Sequence, residues 1–240
     1  MKNCLILVCI LFSDFSFGQS TTQQSLYWIR YYNQTQFNSK YTLHIELDER
    51  RLINPDRQFQ LFVHAHLHRR FSKWIDAAAG FTFAGTNATK NPQLIVPELR
   101  PFQEINVSQQ IIKKLQLQFR YRLDERFIRN YDKLELQDGY GFFVRHRFRI
   151  QCNVEIKKFE NDRAIILKLS EEIMFNQGNG VSRTFDQNRV YLGGELQWNN
   201  KWATELGYLN LFQSSGEVDF FTRDVIRLTV YHRLSLLAKE

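Results

Sequence analysis

Leu115-Gln116-Leu117-Gln118-Phe119-Arg120-Tyr121-Arg122-Leu123-Asp124 alternates apolar and polar side chains without a break, and its reading decides the fold class. Successive side chains of a β-strand point to opposite faces, so strict alternation marks a strand with one greasy and one wet face. The pattern recurs in Tyr41–Asp48, Tyr140–Ile150 and Ile226–Leu234, where His146 and His232 are the lapses on the apolar faces. Ordinary strands average about 5–6 residues, whereas a tilted strand crossing a bilayer needs about 9–11. These segments match the second figure. A mean hydropathy of −0.41 excludes a helical membrane protein but not a membrane barrel, in which every second residue faces a polar interior.

Working outward, candidate strands cover 24–32, 40–50, 58–70, 73–84, 98–109, 112–127, 139–156, 163–175, 187–198, 201–212 and 222–236. Single-chain bacterial barrels carry even strand numbers, so the expectation is an all-β, antiparallel up-and-down transmembrane barrel of about 12 strands, with 10 as the alternative. Longer connections are expected at 85–97, 128–138, 176–186 and 213–221, and short ones near 110, 157–162 and 199–200. Glu171 is the clear charge on an apolar face, and a place near a membrane interface would lower its cost. Trp28, Trp74, Trp198 and Trp202, with Tyr27, Tyr31 and Tyr208, fall near strand ends or turns. They suit an interfacial girdle or plain β-propensity.

The N-terminus reads as a signal peptide over residues 1–18: Lys2, an apolar run from Cys4 to Phe12, then Ser16-Phe17-Gly18 before a cut at Gln19. Residues 19–240 then form one barrel domain. Removal of Cys4 and Cys9 leaves Cys152 alone, which excludes an internal disulfide and a cysteine metal site. A formal charge of +7 ordinarily suggests nucleic acid or an anionic surface, but export argues against nucleic acid. The expected partners are outer-membrane lipid and a small anionic solute. No cofactor is expected, and the oligomeric state stays open.

On the polar faces, acidic residues are interleaved with arginines. The bland reading is a salt-bridged filling, and the sharper one is a basic constriction selecting anions. Arg120, Arg122, Arg145, Arg147 and Arg149 are the anion-facing candidates, with the last three the least compensated. His64-Ala65-His66-Leu67-His68 places three imidazoles on one strand face, a pattern able to chelate zinc or copper. Same-face neighbours lie almost 7 Å apart, about twice the rise per residue. His64, His66 and His68 are therefore weak metal candidates, with Glu46 on the inferred neighbouring strand as an oxygen donor. No G-x-S-x-G elbow is present. Ser170 and Ser182 with the histidines make only a paper triad, so no catalytic residue is assigned.

Tyr121–Phe127, Phe185–Gly193 and Gly207-Tyr208-Leu209-Asn210 resemble the recurring strand motifs of the DUF2490 family, uncharacterised outer-membrane-barrel-like proteins common in Bacteroidetes. The resemblance begins near Trp28 and continues through Glu46–Arg50. It implies an outer-membrane barrel and brings no reaction or catalytic residue. Three classes stay open: an outer-membrane barrel with a structural or small-solute role, a soluble periplasmic lipid-binding barrel, and a barrel hydrolase.

Overall fold

The computed structural model describes residues 21–88, 91–132, 134–215 and 219–237. The expected signal peptide lies outside them. Eleven strands follow one another: β1 Thr21–Gln36, β2 Tyr41–Leu52, β3 Arg57–Arg70, β4 Ile75–Asn87, β5 Ile95–Ile112 and β6 Leu115–Tyr131. They continue with β7 Leu136–Lys158, β8 Ala164–Gln177, β9 Phe185–Gln197, β10 Trp202–Ser215 and β11 Asp219–Ser235. Each pairs with its sequence neighbour, and β1 pairs with β11 to close the barrel.

The even count is corrected. The described residues hold eleven strands, and closure is parallel, with Thr21 opposite Phe220 through to Gln36 opposite Ser235. The reason is geometric: when strands alternate in direction, an odd number leaves the first and last running the same way. Parallel ladders are slightly less stable per residue than antiparallel ones, and the long register compensates.

Most of the sequence expected as long connections is strand. The β6–β7 ladder runs on to Tyr131 opposite Leu136, and β10–β11 continues to Ser215 opposite Asp219. The described residues of the β6–β7 tip from Asn130 to Leu136 are all exposed, so its sequence loses the alternation that reveals a strand. Asp132 closes the β6–β7 hairpin by accepting the backbone N–H groups of Leu134 at 2.7 Å and Glu135 at 2.9 Å. Those of Glu135 and Leu134 hold its carboxyl below the usual range. The turn's contribution is therefore in place at neutral pH and is lost as pH falls through that lowered value. Asn38 and Asn199 make matching turns, accepting from Lys40 and Tyr41 and from Lys201 and Trp202.

The side chains sort as the alternation predicts. One outward residue on each strand illustrates it: Ile29, Leu47, Leu67, Phe81, Ile105, Phe119, Phe148, Leu167, Leu192, Leu206 and Leu228 are 40% to 60% exposed. The intervening residues, such as His44, Asp48, Arg122, Asp124 and Glu172, are buried inside. Glu171 does face outward, and Asn188 Nδ2 donates to it at 3.0 Å. The two histidine lapses are paired as well. His146 Nδ1 lies 2.9 Å from the Tyr121 hydroxyl, and His232 stacks on Trp202 with ring centroids 4.0 Å apart.

Inside and outside are not purely polar and apolar, however. Leu26, Trp28, Leu52, Leu209, Leu211 and Val225 pack with Tyr191 into a small apolar cluster within the barrel. β1 is apolar on both faces there, with Leu26 and Trp28 inward and Ile29 outward. Trp28 is thus not a girdle residue. It is 4% exposed and lies beneath the Arg50 guanidinium, 3.8 Å from the ring centroid. Trp74, Trp198 and Trp202 are on the outside, all at the rim formed by the β3–β4 and β9–β10 connections.

Candidate functional site in the barrel interior

A space of about 620 Å³ runs inside the barrel. Gln36, Lys40 and Arg70 line it toward one rim, and Gln213 and Arg223 toward the other. Its wall is charged, and basic side chains outnumber carboxylates around it.

Burial in such a space is costly unless each charge meets its opposite, and the strand register supplies the meetings. Arg122 and Asp124 sit two apart on β6 and join at 2.6 Å, and Arg147 of β7 reaches Asp124 at 3.4 Å. Glu172 of β8 takes Arg120 at 2.5 Å and Arg147 at 3.1 Å. Arg145 binds Asp186 at 2.9 Å, and Glu98 holds Arg100 at 2.8 Å and Arg126 at 2.5 Å. On the opposite wall Glu205 accepts from Lys168, Arg227, Tyr191 and Tyr231 at 2.6–2.9 Å. Arginine suits this packing because its flat guanidinium also stacks on rings. Arg122 lies 3.4 Å from the Phe102 centroid and Arg227 3.9 Å from that of Tyr191.

All five arginines singled out in the sequence line the interior. Four are ion-paired, so the segment Arg145–Arg149 is better compensated than its composition suggests. Arg149 differs. It faces Glu172 across the β7–β8 ladder, but that carboxylate already serves Arg120 and Arg147, and Arg149 makes no ion pair among the described residues. Among the described residues Arg223 donates to the amide oxygens of Gln24, at 2.7 Å, and Gln213, and to no carboxylate.

The motifs that carried the family resemblance meet in this interior. Tyr121–Phe127 contributes Arg122, Asp124 and Arg126 to the ion pairs. In the other two, the Tyr191 ring lies over Gly193 and Gly207, where a Cβ at either position would run into it. These glycines are needed for the close approach of an aromatic ring, and the Tyr191 hydroxyl then reaches Glu205.

The histidines are divided otherwise than the sequence suggested. His64 is set apart, its Nδ1 2.6 Å from Thr82 Oγ1 and its ring stacked on Phe62. His66 and His68 are joined instead by His44, and ligand atoms of the three lie within 4.8 Å of one another. The register explains this: His44 of β2 stands directly opposite His66 of β3. His44 was legible as a polar-face residue, but no reading along a single strand could have put it beside His66. The inferred neighbour Glu46 is in place, 3.1 Å from His66 Nε2. Ser170 lines the same space, and no hydrogen bond ties it to a histidine among the described residues.

A family model described as a protein of unknown function, DUF2490, matches residues 26–222. No curated protein matches the chain.

Proposed function

The chain belongs to the DUF2490 family, and on that footing we propose that it is exported to the outer membrane of a Gram-negative bacterium and spans it as an integral barrel. The observation that carries this reading is the apolar girdle to which every strand contributes. Soluble monomers rarely expose contiguous apolar patches above a few hundred Å², whereas lipid-facing strands require such a band. The tryptophans gathered at one rim fit an interfacial belt. A soluble lipid-binding barrel needs the reverse arrangement, with an apolar cavity and a polar coat. Here the cavity wall is ionic, which favours the membrane reading. The reading includes no catalytic step.

The interior is cross-braced, which supports a structural barrel with restricted passage. Its excess of basic side chains, with Arg149 and Arg223 lacking carboxylate partners among the described residues, favours small anions over cations as the solutes it admits. Reconstitution tests both parts. Purified protein refolded into liposomes is expected to migrate on gels in a heat-modifiable compact form. In planar bilayers, any currents are expected to be small and anion-selective. Protein that stays in the aqueous fraction would overturn the membrane assignment, and cation selectivity would overturn the anion preference.

A further inference from the structure

The geometry points to a binding site for a divalent transition-metal ion of the zinc class inside the barrel, formed by His44, His66 and His68 with Glu104 as oxygen ligand.

The outer nitrogens of the three imidazoles are already engaged. His68 Nδ1 lies 2.7 Å from Asp76 Oδ1, His66 Nε2 3.1 Å from Glu46 Oε1, and His44 Nδ1 2.6 Å from the Tyr32 hydroxyl. Such partners on the far side of the ring accompany nearly every metal-bound histidine, because they fix the tautomer and the ring's aim. With those contacts on the outer side, His66 Nδ1 and His68 Nε2 face each other on the inner side across 2.9 Å, an arrangement that a shared metal ion would satisfy.

Two observations favour the metal. The third imidazole, His44, lies tilted by 32° against His68 with ring centroids 3.9 Å apart and has Nε2 as its remaining nitrogen. Glu104 Oε1 stands 3.7 Å from His68 Nε2. Its Oε2 is buried and accepts no hydrogen bond, with the Arg120 and Arg122 guanidinium groups 4.0 Å away, so the carboxylate stays charged and has a lone pair free for a cation. Nitrogens on a zinc ion sit ~3.3 Å apart, given Zn–N bonds of about 2.0–2.1 Å. Side-chain rotations on the order of 1 Å bring the present cluster, within 4.8 Å, to that spacing. All four side chains line the interior space, so an ion can reach them through water.

The test is zinc titration of the EDTA-stripped full-length protein in detergent, followed by X-ray absorption on the loaded wild type. Saturable uptake of one zinc per chain is expected, with about three imidazole nitrogens at about 2.0–2.1 Å. His66→Ala and His68→Ala should each weaken uptake more than about 100-fold, because even an outer-shell partner is worth about 10–100-fold. Asp76→Asn should fall in that outer-shell range. His64→Ala, which alters a histidine outside the cluster, should leave affinity within about threefold. No saturable uptake by the wild type, an absorption spectrum without imidazole nitrogens, or equal losses in His64→Ala and His66→Ala would overturn the site. Because the wild-type measurements decide by themselves, a variant that does not fold leaves the inference testable.

Discussion

Replacing Glu205 by alanine is expected to destabilise the folded barrel by about 3–5 kcal/mol, the range for removing one partner of a buried ionic cluster. Glu205 is 1% exposed. It joins Lys168 of β8 at 2.6 Å to Arg227 of β11 at 2.8 Å and accepts the hydroxyls of Tyr191 and Tyr231. Removing it leaves two cations and two hydroxyls facing one another in an enclosed space. Lys168 keeps Glu195 at 2.5 Å, so the loss falls mainly on Arg227 and the Tyr191 ring it covers. The reading is the midpoint of denaturant-induced unfolding after refolding into detergent. A loss below about 1 kcal/mol would mean that water already solvates these charges and that the ion pairs do not brace the barrel.

The second large effect concerns the outer face. An arginine at Phe119 or Leu192, which are 48% and 50% exposed, should cost about 2–4 kcal/mol when the barrel is folded in a bilayer. The same substitution on a soluble barrel touches only water, and surface changes of that kind stay within about 0.5 kcal/mol. Folding titrations in lipid vesicles separate the cases, with an arginine at the exposed Asn200 of the β9–β10 rim turn as reference. Equal stabilities for all three variants would show that the outward band does not contact hydrocarbon.

The parts of the fold that could be read along the chain are those where period two has consequences. Alternation from Leu115 to Asp124 fixed both the strand and its orientation, because a one-residue slip would put Arg120 and Arg122 on the outside. The eleven strand positions were also legible. Only the number departs from the expected even one, because an odd up-and-down barrel closes through a parallel pairing of its first and last strands. Two further things were hidden for physical reasons. Ribbons beyond the wall, such as Tyr131 to Leu136, have no dry face to mark, so they read as loops. Contacts across strands depend on register, which a hairpin sets through its turn. Hence His44 beside His66, Asp186 beside Arg145, and Tyr191 over Gly207 of the neighbouring strand appear only once the pairs are laid out. The interior cluster around Leu26 and Trp28 was masked in another way. Where both faces of a strand are apolar, periodicity carries no directional information.

The claim beneath the proposed function is that the greasy flank of each strand touches acyl chains while the arginine flank faces an aqueous interior. The most direct measurement places a fluorophore on single cysteines at Leu228 and at Arg147, in a background lacking Cys152, and exposes each to quenchers carried on lipid tails. Strong quenching at position 228 with little at position 147 is the predicted result. If lipid-borne quenchers leave position 228 untouched while aqueous iodide reaches it freely, the barrel does not sit in a bilayer.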